Sequence, residues 1–192
     1  MTDNWESVHK PYRGVIFDKW YMYPNFLNNS EIDKLETSVA NIEYENSTII
    51  AGSDTSYRDS KNKWVPFEES WLYDKVWDAV SLANKELWNF EIEGFVDNAQ
   101  YTHYESPNGH YDWHLDIMAN GINHRKISVI CALNDDFVGG NVEFKFGKTN
   151  EIVELSKGGA VFFPSFYLHR VTPIISGERK SLVQWVSGEP YR

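Results

Sequence analysis

From Ala99 onward the chain breaks into short apolar or alternating runs at close intervals: 99–105, 110–117, 126–134, 141–146, 151–155, 159–164, 167–172 and 179–186. Turn-forming residues separate them, among them Pro107-Asn108-Gly109, Asn134-Asp135-Asp136, Gly139-Gly140, Lys157-Gly158-Gly159 and Ser176-Gly177. Short strands at regular spacing must close into a sandwich or barrel, and about eight of them is the strand count of a jelly roll. The expected fold class is therefore mainly β with N-terminal helices, an α+β arrangement around a jelly-roll core.

The first half of the chain has a different texture. Ile32, Leu35, Val39 and Ile42 recur at helical spacing, so a helix is expected over 31–43, with Ser30 as its N-cap and Asp33 completing an approximate capping box. Leu72, Val76, Val80, Ala83 and Leu87 mark a second helix over 69–88, flanked by Trp71, Trp77 and Trp88. Residues 1–14 read as a polar lead-in, and Val15-Ile16-Phe17 and Trp20-Tyr21-Met22-Tyr23 as short entry strands. The stretch 44–64 reads as loop with one strand, its basic cluster Arg58-Asp59-Ser60-Lys61 solvated. One domain is expected over 1–192: a helical buttress, 1–98, against a core, 99–192.

Composition narrows the function classes. A net charge of −10 repels phosphate backbones, so nucleic acid is a disfavoured partner and a basic or neutral substrate is favoured. Cys131 is the only cysteine, which excludes an intrachain disulfide and points to a reducing compartment. No run approaches the ~18 apolar residues of a membrane helix, and the first ten residues do not resemble a signal sequence. No membrane association and a cytoplasmic location are expected.

The chemistry concentrates between Tyr104 and Asp116. His114-Leu115-Asp116 is an H-x-D on an expected strand, where residues i and i+2 share a face. It supplies two thirds of a 2-His-1-carboxylate site, the arrangement that leaves positions open on non-haem Fe(II). His110-Tyr111-Asp112 is a second H-x-D on the same run, but it lies nearer the turn and is the less favoured pair. The odd positions Tyr111, Trp113, Leu115 and Ile117 form the apolar face. His103 and His124 read as ordinary polar histidines.

His169 is the candidate third ligand. Centring a hairpin near residue 174 sets His169 directly opposite Arg179. A cation beside a neutral ligating histidine needs an anion between them. A dicarboxylate cosubstrate, chelating the metal at one end and meeting the planar fork of Arg179 at the other, supplies it. Ser181 faces the same way and offers a hydroxyl, and Trp185 is expected to pack beneath the metal.

The order Tyr104…His114-x-Asp116…Gly139-Gly140…His169-x-Val171-x-Pro173…Arg179…Trp185 resembles the Fe(II)/2-oxoglutarate-dependent dioxygenases, and within them the prolyl 4-hydroxylase-like and PKHD-type group. The likeness covers about Ala99 to Arg192, roughly half the chain. It implies a double-stranded β-helix core and a metal held by His114, Asp116 and His169. It also implies 2-oxoglutarate bound through Tyr104, Arg179 and Ser181. Arg179, where collagen-type members carry Lys, matches the bacterial and viral-type members. Tyr111 matches the aromatic three residues before the first ligating His, supporting the His114 register.

The implied activity consumes Fe(II), 2-oxoglutarate and O2, hydroxylates an unactivated C–H, and releases succinate and CO2. The carboxylate of Asp116 argues for hydroxylation over halogenation. The implied substrate is a protein or peptide side chain such as proline. Two other readings stay open: the same chemistry on a free amino acid, another small molecule or a modified base, and a jelly-roll binding or structural module. The loop 118–126 reads equally as substrate lid or plain connection.

Overall fold

The computed structural model describes residues 19–48, 54–117 and 125–190. The lead-in, the Val15–Phe17 run, His124 and almost all of the 118–126 loop lie outside them.

Two antiparallel sheets face one another, and two helices cover the outer face of the larger. Fourteen strands appear among the described residues. They are β1 (Tyr21–Tyr23), β2 (Glu45–Asn46), β3 (Arg58–Asp59), β4 (Lys61–Val65), β5 (Ala99–Glu105), β6 (His110–His114) and β7 (Arg125–Ala132), then β8 (Val138–Gly139), β9 (Val142–Phe146), β10 (Thr149–Val153), β11 (Ala160–Pro164), β12 (His169–Val171), β13 (Ile174–Ser176) and β14 (Glu178–Ser187). The larger sheet runs β1-β11-β7-β14-β5-β4-β2 and the smaller β10-β9-β12-β6-β3, while β13 and β8 form a separate ribbon. The mainly β jelly-roll expectation holds. Residues 44–64 contribute three short strands rather than one.

Period-2 alternation decides what each face of the larger sheet meets. On β14, Leu182 and Val186 join Ile127, Val129, Cys131, Tyr101 and Phe162 in the core beneath the helices. The alternate residues, Arg179, Ser181, Val183 and Trp185, turn toward the space between the sheets. A second apolar cluster there, Ile130, Val142, Phe144, Val153, Val161 and Phe163, joins the two sheets. Fully burying a side chain such as Leu182 or Phe162 contributes about 1.5–3 kcal/mol. These two clusters therefore fix the wall from which the functional side chains project.

Helix α1 (Asn29–Val39) buries Ile32, Leu35 and Val39, as its spacing required. Its N-cap is Asn28 rather than Ser30: the Asn28 side chain accepts from Glu31 N, and the Glu31 carboxylate accepts from Asn28 N. Both Asn and Ser cap well, and the acid three residues on decides between them; Glu31 reaches back where Asp33 does not. Helix α2 (Ser70–Leu87) buries Leu72, Val76, Val80 and Ala83. From its last turn, Asn84 closes the chain reversal beyond the helix through both ends of its amide on the backbone of Phe90.

Candidate active site

The hairpin expected between 167–172 and 179–186 does not form. β12 pairs with β6 and β9 in the smaller sheet, whereas β14 pairs with β5 and β7 in the larger. Pro173 has no N–H to continue the β12 ladder. The chain leaves that sheet, pairs briefly with β8 through β13, and enters β14 past Gly177 at φ +82°. His169 therefore opposes His114 and Phe144, and Arg179 opposes Tyr104. His169 and Arg179 still line one cavity of about 490 Å³, reached from opposite sheets.

Strand β6 ends at His114, so Asp116 lies in the bend beyond it. Asp116 is held there by its own N–H, which donates to Ser165 O at 3.0 Å. Oδ1 then lies 3.6 Å from His114 Nε2, and Oδ2 lies 3.6 Å from His169 Nε2. One ligand atom from each of the three residues falls within 4.8 Å of the others. His110 and Asp112 take no part: the His110 ring contacts the carbonyls of Asn108 and Ser56, and Asp112 accepts from Trp113 N.

A register shift separates the His169–His114 pair from Val171–Tyr111, with three β6 positions spanned against two on β12. Such a bulge breaks the alternation locally. Tyr111, expected on the opposite apolar face, instead stacks on His114 with ring centroids 3.5 Å apart and planes at 13°.

Hydrogen bonds fix which nitrogens face inward. His114 Nδ1 lies 2.8 Å from Asp112 O and His169 Nδ1 lies 2.9 Å from Tyr167 O. A carbonyl oxygen only accepts, so each Nδ1 carries a proton, and in the neutral ring Nε2 is then the nitrogen that offers a lone pair on the Asp116 side. Ser128 Oγ donates to Asp116 Oδ2 at 2.6 Å, and the Ser165 hydroxyl is 2.9 Å from Ser128 Oγ. Burial, then the field of His169, lowers the His114 pKa to about 3. Burial alone pushes the Asp116 carboxyl up, but His169, His114 and the Ser128 hydroxyl together outweigh it, and the net shift is down. Two imidazole Nε2 atoms and a carboxylate, all buried, thus converge on one point, an arrangement complementary to a divalent cation.

The opposite wall carries the inverse problem. Arg179 is 3 % exposed. Its Nη1 donates to Ser181 Oγ at 2.9 Å, and its guanidinium carbon lies 5.4 Å from the centre of the Tyr104 ring. Arg179 has no carboxylate partner among the described residues, and burial lowers its pKa. Gly140 makes room for this side chain: a Cβ there would meet Ile174 Cδ1 at 2.5 Å and Arg179 Cδ at 2.9 Å, at a φ of +62°. Gly140, in the turn formed with Gly139, thus clears the path of the buried guanidinium.

Comparison with known proteins agrees with this geometry. A family model described as the 2OG-Fe(II) oxygenase superfamily matches residues 99–187, the segment that carries every candidate side chain. The matched segment belongs to the 2OG-Fe(II) oxygenase superfamily. The chain is a 2-oxoglutarate-dependent non-haem iron dioxygenase, and the relatives it resembles include PKHD-type hydroxylases. A PKHD-type hydroxylase of Prochlorococcus marinus strain AS9601 is 26% identical over 173 residues, covering 86% of this chain and 77% of that protein. One from Synechococcus sp. strain CC9605 is 34% identical over 79 residues, 40% of this chain and 36% of that protein. Among solved structures, a Pseudomonas putida prolyl-4-hydroxylase superposes with a TM-score of 0.73 at 21% identity, over 95% of this chain and 100% of that one. A Trichoplax adhaerens prolyl hydroxylase, in complex with a hypoxia inducible factor peptide fragment, gives 0.76 at 18%, over 97% and 94%.

The oxygenase fold also exposes residues that sequence reasoning missed. Ser128 was legible in principle, as the single polar residue inside Ile127-Ser128-Val129-Ile130. Arg58, expected in a solvated loop, is instead half-buried in the cavity wall, its guanidinium carbon 4.5 Å from the centre of the Tyr111 ring. Trp185 lines the cavity, with the Arg125 guanidinium carbon 3.8 Å from its ring centre. A second cluster, His103, Glu105 and Glu178, leaves both carboxylates exposed, each close to a cationic or histidine side chain. No helix among the described residues is long and apolar enough to cross a membrane.

Proposed function

We propose that His114, Asp116 and His169 hold Fe(II), that Arg179, Ser181 and Tyr104 hold the distal carboxylate of 2-oxoglutarate, and that the substrate is a protein or peptide side chain, proline foremost. The supporting observation is the pairing of opposites inside one cavity: three converging acceptors on one wall, and on the other a buried guanidinium with no acid partner among the described residues. A keto diacid has the chemistry to satisfy both at once.

When bound, iron, 2-oxoglutarate and O2 supply the oxidation that hydroxylates an unactivated C–H and releases succinate and CO2. The chain's own residues do the rest. Asp112 O and Tyr167 O hold the two imidazoles in the tautomer that presents Nε2. Ser128 orients Asp116. Arg179 matches a carboxylate bidentately, while Ser181 accepts from it and keeps its own hydroxyl proton to donate. Phe163 and Phe144, packed against His169 at 4.8 and 5.8 Å, exclude water behind the metal position.

The proline preference draws on the printed names of the fold neighbours, two of them prolyl hydroxylases, one solved with a peptide. We propose one domain for the chain, with the helices supporting the sheet that carries Arg179. The test is 2-oxoglutarate turnover against a panel of proline-containing peptides, free amino acids and other metabolites, read by mass spectrometry. One oxygen gained per succinate released on a peptide proline is the expected result. Coupled oxygen gain confined to a free metabolite would overturn the peptide assignment while keeping the chemistry.

A further inference from the structure

Five charged side chains line the cavity among the described residues: Glu45, Arg58, Asp116, Arg125 and Arg179. Three of these have protein partners suited to them. Asp116 faces the two histidines and Ser128. Arg125 has a carboxylate of its own, Asp97, at 2.7 Å. Glu45 accepts from the indole of Trp64 at 3.3 Å. Arg179 is assigned above to the cosubstrate. Arg58 remains, a second guanidinium with no carboxylate partner among the described residues.

Its partners are neutral. Nε donates to Ser60 Oγ at 3.0 Å, Nη2 donates to Gln100 Oε1 at 2.8 Å, and Nη1 reaches Thr48 O only at 3.5 Å. An arginine carries five N–H donors, so at least two have no partner among the described residues. The fork is nonetheless held in place. One face stacks on Tyr111, Gln100 and Ser60 clamp two of its nitrogens, and both of those side chains are buried. A fixed guanidinium with spare donors is preorganised for an oxyanion. It also stands one aromatic ring away from a candidate metal ligand, since Tyr111 lies between Arg58 and His114.

We infer that Arg58 anchors a carboxylate carried by the molecule to be hydroxylated, within one small residue's length of the carbon that reacts. The inference rests on the proposed function, because it takes Arg179 as occupied by 2-oxoglutarate. It also reverses the substrate charge expected from the net −10 of the chain: the cavity lining is cationic although the surface as a whole is acidic. Two sources can bring such a group to this place, the α-carboxylate of a free amino acid or the side chain of an acidic residue beside the target in a peptide.

The experiment is a binding comparison on protein loaded with Zn(II) and 2-oxoglutarate, in which no turnover occurs. Calorimetric affinities are measured for matched pairs that differ only in the carboxylate. L-proline against L-prolinamide is one arm; N- and C-capped Pro-Asp peptides against their Pro-Asn counterparts are the other. The carboxylate member of at least one arm is expected to bind tenfold or more tightly, and the arm that responds identifies the source. That preference should fall to within twofold in Arg58→Gln and be partly restored in Arg58→Lys.

A second variant guards against misfolding. Gln100→Glu keeps the shape and sets an internal carboxylate at the guanidinium, and should abolish the preference in the same way. A preference that persists in both Arg58→Gln and Gln100→Glu overturns the inference, as does equal binding, or no binding, of every matched pair by a wild-type protein that holds Zn(II) and 2-oxoglutarate. A wild-type protein that fails to take up Zn(II) or 2-oxoglutarate overturns the underlying functional reading instead, and is seen before any substrate probe is added.

Discussion

The two walls of the cavity differ in what they lack. The smaller sheet and the bend after it gather acceptors, with two imidazole lone pairs and a carboxylate turned toward one point. The larger sheet presents a buried guanidinium whose hydrogen-bonding partner is a serine hydroxyl. Each wall alone would be a costly burial, of unpaired acceptors on one side and an uncompensated cation on the other. Their opposite deficits make sense only if something spans the gap, a cation at one end and an anion at the other.

Perturbing either wall separates the two requirements. The largest effect should come from the acceptor wall: His169→Ala removes one of the three proposed ligands. Iron content should drop from about one per chain to near zero, and succinate formation should fall by about a thousandfold or more. Iron retained at full stoichiometry in that variant would remove His169 from the site.

On the guanidinium wall, Arg179→Gln would delete the proposed charge-assisted bidentate contact, of about 3 kcal/mol, so 2-oxoglutarate affinity should weaken on the order of a hundredfold. Iron stoichiometry should be untouched. Calorimetry with 2-oxoglutarate and iron analysis on the same sample check both halves, and a variant that loses iron as well would mean the walls are not independent.

A smaller effect is expected at Ser128, which touches Asp116 but faces no ligand directly. Ser128→Ala should reduce metal affinity by roughly tenfold to a hundredfold, the usual cost of losing a hydrogen bond behind a ligand. Competition with a chelator measures it, and an unchanged affinity would mean that Ser165 or the backbone suffices to orient the carboxylate.

The acceptor wall should also make the metal-free protein sensitive to acid. His114 is held neutral down to about pH 3 in the folded chain, against an ordinary value of 6.5. The unfolded chain therefore takes up that proton first, and stability falls as pH drops from about 6.5 toward 3. The depressed Asp116 carboxyl acts with the same sign at the lower end of that range. Denaturant midpoints at pH 7 and pH 5 should show the loss in wild type and a smaller loss in His114→Gln; equal losses would place the acid sensitivity elsewhere.

Much of this was legible in the sequence, for identifiable reasons. Alternation and turn residues gave the strand positions of the core, because a half-buried strand must alternate and its turns need Gly, Asn or Pro. The H-x-D, His169 and Arg179 stood out as polar residues inside apolar strands. What could not be read was which sheet each strand joins. Nearness along the chain made β12 and β14 look like hairpin partners, yet Pro173 and the β13 ribbon send them to opposite sheets. The β6 bulge was equally hidden, since it depends on the register with β12, and it moved Tyr111 onto the face of His114. Arg58 was hidden because a basic residue in a polar loop carries no sign of the wall it will join.

The most direct test of the two-walled cavity is a titration of 2-oxoglutarate, under anaerobic conditions, into wild-type protein with and without Fe(II). One molecule spanning both walls should bind at least tenfold more tightly when the metal is present. Equal affinity in the two titrations would contradict it, because the guanidinium would then be holding the diacid with no help from the opposite side.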